Sequence, residues 1–310
     1  MRLLKVEEGN HISLSDHFTA TIPPYAILSH TWGPEEVTYG EICAGTGSNK
    51  SGYEKIRFCG QQAARDGLQY FWVDTCCIDK SNSVELSEAI ISMFRWYHNA
   101  AKCYVYLEDV RSSDTPWLLG FEKSRWFKRG WTLQELLAPR VVEFFTKSGQ
   151  LIGTKSSLEK HISSITGIQE SALRNGDLGT FSIKQRFSWT HSRQTTREED
   201  QAYCLLGIFG INMTPLYGEG AKSAWDRLER EISAIDPDGI ERRVKIAAWL
   251  SPTAHYRIHE AMWQAEGTCE WIFEDSSWQT WAASVTASVL WIHGERKYIL
   301  LSLSLVGPLN

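Results

Sequence analysis

Acidic, imidazole and thiol side chains gather where short apolar runs end. Tyr25–His30 (YAILSH) leads into Thr31-Trp32-Gly33, and Tyr70–Asp74 (YFWVD) into Thr75-Cys76-Cys77-Ile78-Asp79. Cys103–Leu107 (CYVYL) leads into Glu108-Asp109. Further on, Trp131 and Glu135 stand four residues apart, a spacing that puts both on one helix face, and Arg125 and Arg129 repeat it. An indole beside a carboxylate suits a ring-stacking pocket. Each residue also has a plainer role. Asp74 and Asp79 can close turns by accepting backbone hydrogen bonds. His30 can be a hydrogen-bonded strand end, Trp32-Gly33 a turn with a packed indole, and Arg125 and Arg129 surface charges. Glu135 can be a solvated carboxylate paired with Arg129 or Arg140. Cys76 and Cys77 hint at a thiol nucleophile, but no positioned base is identifiable, so they read as small buried residues ending a strand.

Positioning these groups requires strands alternating with helices. Tyr53–Asp66 carries a stripe at Tyr53, Ile56, Gly60 and Ala63, with Gly67 as the stop. Asn82 and Glu85 form a capping-box-like start for a helix whose face is Leu86, Ile90, Met93, Phe94 and Tyr97, read as core. Trp126–Leu137 is helical, closed by Pro139, and Val141–Phe145 is a strand. The alternation predicts an α/β fold with a parallel sheet and right-handed crossovers, whose ligands bind beyond the carboxyl ends of the strands. From Leu151 to Ile235 the pattern turns helical with little strand signal. Thr196-Arg197-Glu198-Glu199 reads as a capping box opening a helix through Leu206, ended by Gly207 and Gly210. Ala221, Trp225, Leu228, Ile232 and Ile235 mark another stripe. Asp236-Pro237-Asp238-Gly239 is a turn signal and a plausible domain boundary.

The chain has 310 residues, 43% hydrophobic and 22% charged, enough for a real core. Its net charge of −5, without a basic block, argues against nucleic-acid binding and against a polybasic membrane anchor. Seven cysteines without a C-x-x-C, and no His pair at zinc spacing, argue against a metal site and fit reduced thiols in a cytoplasmic protein. Met1–Asn10 has no apolar run of the kind a secretory signal needs, and Tyr298–Leu309 is too short to span a bilayer. Fourteen tryptophans must line cores, pockets or partner surfaces.

Three blocks resemble the fungal heterokaryon-incompatibility (HET) domain: YAILSHTWG at 25–33, GLQYFWVDTCCIDKSNSVELSEAIISMFRWYHNAAKCYVYLEDV at 67–110, and SRWFKRGWTLQELLAPRVVEFF at 124–145. The stretch REEDQAYCLLGIFGINMTPLYGEGAKSAW at 197–225 is similar to the longer form of that family. The resemblance implies a HET domain over 1–235, with a TIR-like, flavodoxin-like α/β core at about 20–150 and a helical extension at about 151–235. It implies a role in fungal non-self recognition, vegetative incompatibility and regulated cell death. Some TIR domains cleave NAD through a glutamate in a W-C-x-x-E-L-like run. Here Trp131-Thr132-Leu133-Gln134-Glu135-Leu136 is similar, with Thr132 where Cys is usual, and Glu135 takes the catalytic place. NAD is then a substrate rather than a resident cofactor. Hydrolysis of its nicotinamide–ribose bond passes through an oxocarbenium-like state that a carboxylate stabilises. His30, Trp32, Asp74 and Trp131 would line the pocket, and Arg125 with Arg129 would pair with the pyrophosphate. The partner implied is a second copy or a sensor of the NLR-like kind. The alternative is a non-enzymatic module that signals by homotypic contact through Trp-rich faces.

Two geometries stay open for Glu135. If the helix starts at Ser124, Glu135 lies about 16 Å along it, at roughly 1.5 Å per residue, far from the carboxyl edge. If Gly130 breaks the pattern, Glu135 falls in the first turns, near His30 and Asp74.

Ala247–Gly294 resembles the linker before NACHT-type P-loop ATPase domains, in which a strand like VLWIHG feeds a Walker A loop. Here Gly294-Glu295-Arg296-Lys297 lacks the glycines and the Lys-Ser/Thr, so residues 236–310 are expected to form a linker-like tail with no ATPase and a poorly packed apolar end at Tyr298–Leu309.

Overall fold

Six consecutive residues, Tyr25–His30, are buried on both sides and form β3, the strand on which the site is built. A strand covered on both faces reads as a continuous apolar run, as here. The computed structural model describes residues 1–7, 11–19, 21–111, 117–235, 288–294 and 297–303. They fall in two units, Met1–Ile235 and Asp236–Asn310.

The first unit holds a seven-stranded sheet. Its strands are β1 (Leu4–Val6), β2 (Ile12–Leu14), β3, β4 (Tyr70–Trp72), β5 (Lys102–Leu107), β6 (Val142–Thr146) and β7 (Leu151–Thr154), in the order β2-β1-β4-β3-β5-β6-β7. The central four, β4-β3-β5-β6, are parallel, whereas β1, β2 and β7 pair antiparallel. The sheet is therefore mixed rather than parallel throughout. The three outer strands are three or four residues long, too short to carry a periodic signal.

Between β3 and β4 lie α1 (Tyr39–Cys43) and α2 (Tyr53–Arg65), and α3 (Ser83–Asn99) joins β4 to β5. Between β5 and β6 run α4 (Trp117–Lys123), a 3-10 turn (Arg125–Lys128) and α5 (Thr132–Leu137). The extension after β7 comprises α6 (Glu159–Thr166), α7 (Glu170–Leu173), α8 (Ile183–Ser188), α9 (Asp200–Tyr203), α10 (Leu206–Phe209) and α11 (Gly220–Ile235).

The chain steps from β3 outward to β4 and then back across β3 to β5. Right-handed crossovers then put α2 on one face of the sheet and α3 and α5 on the other. The contacts agree. A Cβ on Gly60 of α2 would lie 2.7 Å from Val6 and 3.1 Å from Phe71. On the opposite face the Tyr97 hydroxyl of α3 donates to the Leu28 carbonyl at 3.0 Å, and the Cys103 thiol meets the Glu135 carbonyl of α5 at 3.8 Å.

Local signals explain most helix starts. The Asn82 side chain accepts from the Val84 and Glu85 amides and opens α3, but Glu85 turns to Arg2 and to the Asp79 amide, so only half of a capping box forms. The expected box at Thr196–Glu199 does not form. Glu199 is the N-cap of α9, and its carboxylate accepts from the Gly218 and Gly220 amides instead. The single helix expected there is split into α9 and α10.

The region read as one helix from Trp126 is also broken. The 3-10 turn ends at Lys128, and α5 starts again at Thr132. The break is pinned from the extension. The Gly130 amide donates to the Gln194 carbonyl at 2.8 Å, and the Gln194 amide donates to the Lys128 carbonyl at 2.6 Å. Arg193 donates through Nη1 to the Arg129 carbonyl (2.9 Å) and the Thr132 hydroxyl (2.8 Å), and burial pulls its guanidinium down to about 10. A Cβ at position 130 would come within 2.5 Å of Thr195 Cγ2 and 3.2 Å of Cys204 Sγ. A glycine here leaves room for the Thr195 and Cys204 side chains, while the facing Gln194 carbonyl would stay at an ordinary 3.7 Å.

In the second unit, β8 (Ser288–Gly294) pairs antiparallel with β9 (Lys297–Leu303), Ser288 opposite Leu303. The apolar run beginning at Tyr298 is a paired strand through Leu303. Residues 236–287, 295–296 and 304–310, most of the expected linker among them, lie outside the described residues. Among the described residues, no helix is long and apolar enough to cross a membrane.

Gly130→Ala is expected to destabilise the fold by about 1–3 kcal/mol through overpacking, and Thr195→Ser in the same chain should recover part of it by removing Cγ2. Urea unfolding of the single and double variants measures this; a loss that Thr195→Ser leaves untouched rules out this contact as the cause.

Candidate active site

Because α5 restarts at the break, Glu135 lies in its first turn and its side chain turns inward, 9% exposed. Its Oε2 accepts a hydrogen bond from the Ser29 hydroxyl of β3. Ser29 in turn accepts from Trp126 Nε1 at 2.8 Å. An indole N–H can only donate, so the single hydroxyl proton of Ser29 is committed to Glu135. Burial raises the Glu135 carboxyl to about 7, with Asp74 adding to the rise, and Ser29 and Arg129 oppose it. A carboxyl group near neutrality inside a cleft is a mark of functional sites, although buried structural groups share it.

One residue beyond Ser29, His30 reaches Asp74 past the end of β4, Nε2 to Oδ1 at 2.9 Å. The other Asp74 oxygen accepts from Trp32 Nε1 at 2.8 Å. Burial works against the Asp74 charge, but the Lys80 charge and these two hydrogen bonds outweigh it and hold the carboxyl far below its ordinary range. The turn after β3 is fixed from beneath. Buried Lys55 of α2 bonds Glu36 and the Thr31 carbonyl, and Glu36 accepts from the Gly33 amide at 2.6 Å.

These groups border one cleft of about 200 Å³ at the carboxyl edge of β3 and β4. His30, Trp32, Asp74, Arg129, Trp131 and Glu135 all line it. Arg125 does not. It lies outside the cleft, its guanidinium bonded to Glu108 at 2.7 Å, so the expected Arg125–Arg129 pair does not form a common anion site. The break after Lys128 separates the two arginines, which share a face only on a continuous helix.

The stripe on α3 read as core is in part the wall of this cleft, through Leu86, Ile90, Met93 and Tyr97. The far wall comes from the extension. Asp200 accepts from Trp131 Nε1 at 3.0 Å and from the Tyr217 hydroxyl at 2.8 Å, and burial raises its carboxyl. The roles of Ser29, Trp126, Lys80, Asp200 and Tyr217 carry no spacing signal. They become legible only once the topology brings β3, the 74–80 loop and the 197–217 stretch together. Lys80 alone directly follows a segment expected at the carboxyl edge, Asp74 to Asp79.

The six described cysteines are free, and all but Cys43 are buried. Burial pushes the Cys59, Cys76 and Cys103 thiols well up and Cys204 up to about 12, which disfavours a thiolate nucleophile at those positions. Among the described residues, no group of three or more His, Cys, Asp or Glu side chains could hold a metal.

Residues 25–118, which run from β3 into α4, match the family model described as Heterokaryon incompatibility protein (HET), and the strand-edge side of the cleft lies within that match. The match includes His30, Trp32, Asp74 and Lys80 and stops before Glu135. Over 304 residues the chain is 46% identical to Vegetative incompatibility protein HET-E-1 of Podospora anserina, which covers 95% of this chain and 22% of that protein. The chain therefore spans about a fifth of the length of the curated relative it matches. No solved structure gives a significant match.

Glu135 also carries a stability signature. Its folded value near 7 lies above the ordinary 4.5, so the folded state holds the extra proton between those values. Its contribution is full below about 4.5 and is lost as pH rises through 7, on the order of 3 kcal/mol in all. Glu135→Gln removes the titration, so the variant should gain on the wild type between pH 5 and pH 8.5 in urea unfolding. Parallel stability curves across that range would show that the carboxyl titrates as in water.

Proposed function

We propose that this chain carries an effector module of vegetative incompatibility and that its cleft hydrolyses the nicotinamide–ribose bond of NAD, so that loss of NAD kills the cell. The incompatibility role is supported by the HET-domain match and the likeness to HET-E-1. The reaction rests on one observation: a buried carboxyl raised to about 7, facing a cleft with Trp32, Trp131 and Tyr217 in its walls.

In this reading the ring and its ribose enter the cleft, and Glu135 as carboxylate faces the positive charge that develops on the sugar. The C–N bond breaks with its electron pair going to the pyridinium nitrogen, so nicotinamide leaves neutral and needs no acid. Water adds at the ribosyl carbon and gives up a proton, which a carboxylate of this basicity accepts. The His30–Asp74 pair offers polar partners for sugar hydroxyls at the strand edge. Ser29 and Trp126 are positioning residues that hold Glu135 in one orientation.

Incubated with NAD, the purified chain should release nicotinamide, and Glu135→Gln should slow this by at least about 100-fold. Activity should rise with pH through a midpoint near 7, because the ionised form does the work. Ser29→Ala should move that midpoint upward, since the hydroxyl favours the ionised form. NAD consumption equal in wild type and Glu135→Gln would sink the enzymatic reading.

A further inference from the structure

Three cations border the cleft, and each lies against an aromatic ring. Lys80 Nζ sits 3.7 Å from the centroid of the Trp32 ring, and Arg129 Cζ 5.5 Å from the same ring. Arg197 Cζ sits 4.1 Å from the Tyr217 ring. All three line the cleft, and among the described residues none forms an ion pair.

Direct carboxylate contacts are missing although acids lie nearby, and Lys80 acts on Asp74 through its charge alone. Asp74 spends its oxygens on His30 and Trp32, Asp200 on Trp131 and Tyr217, and Glu135 accepts a hydrogen bond from Ser29. The acids are thus held by side-chain donors other than these cations, and the cations keep their hydrogen-bond donors unspent. Rings orient a cation through their π faces but accept little of its donor capacity. Guanidinium and ammonium groups with spare donors are matched to phosphate oxygens.

The volume adds a constraint. At about 200 Å³ the cleft lies below the range of pockets that enclose drug-sized ligands. A phosphate carried on a ring and sugar held inside is therefore placed toward the mouth. Lys80 and Arg197 are exposed there.

We propose that Lys80, Arg129 and Arg197 form a phosphate subsite at the mouth of the cleft, which selects nucleotides over unphosphorylated nucleosides. The subsite rests on the nucleotide reading above and replaces the Arg125–Arg129 pair. It makes Lys80 and Arg197 specificity-determining residues, with Trp32 and Tyr217 as the surfaces that hold two of the cations in place.

The test is titration calorimetry on the full chain carrying Glu135→Gln, which keeps the ligand intact, with nicotinamide mononucleotide, nicotinamide riboside and inorganic phosphate as probes. The mononucleotide should bind at least tenfold more tightly than the riboside, and more tightly than phosphate alone. Lys80→Gln or Arg197→Gln should bring the mononucleotide-to-riboside ratio toward one, because mononucleotide affinity falls more than riboside affinity. Equal affinity for mononucleotide and riboside, a ratio that both variants leave unchanged, or phosphate binding as tightly as the mononucleotide would overturn the subsite. Circular dichroism of each variant separates lost binding from lost folding. NAD cleavage is read separately on the wild type. A chain that binds the mononucleotide selectively but does not cleave NAD keeps the subsite and loses the reaction; one that cleaves NAD without discriminating the probes does the reverse.

Discussion

The site depends on the interruption of one helical segment at Gly130. A continuous helix from Ser124 would carry Glu135 along its axis and away from the strand ends. The break restarts the helix at Thr132, so that Glu135 meets Ser29 at the end of the most deeply covered strand. Holding such a break costs backbone hydrogen bonds, and a segment 64 residues further along the sequence returns them. Gln194 pairs with both sides of the gap, and Arg193 satisfies the Arg129 carbonyl and the Thr132 hydroxyl. The helical extension is therefore part of the site and not an appendage to it.

Charge in the cleft is divided in an orderly way. Acids are satisfied by indole, imidazole and hydroxyl donors, and basic groups by aromatic faces. This keeps the lysine and arginines of the cleft out of direct ion pairs, while the Lys80 charge still acts on Asp74. It also separates the acids by environment. Asp74, beside Lys80 and with both oxygens bonded, stays ionised, while Glu135, with less compensation for its burial, is raised to about 7. Two carboxyl groups in one cleft thus hold different protonation states over the neutral range, which is how a single fold can supply both a fixed charge and a proton acceptor.

Much of the central layer was legible in the residues. YAILSH is β3 with the bounds its composition suggests, the stripe from Ile56 to Ala63 is the buried side of α2, and Asn82 opens α3. The polar segments after β3 and β4 meet at the carboxyl edge because parallel strands with right-handed crossovers leave them there. What the sequence concealed was of two kinds. The short outer strands hold only three or four residues each and take their structure from neighbours rather than from pattern. The second kind is long-range: Arg193, Asp200 and Tyr217 look like ordinary surface residues until the extension folds back on Trp131. Arg125 shows the converse, since a helical spacing misleads where the helix is not continuous.

The outermost strands of the first unit have a mechanical consequence. At about 3.4 Å per residue, β2 exposes roughly 10 Å of free edge and β7 roughly 14 Å. Such short margins give an incoming chain little backbone to zip onto, which is how sheets avoid templating their own aggregation. For any second chain meeting this sheet, lateral strand addition is a poor route, and contacts fall instead to helices and loops.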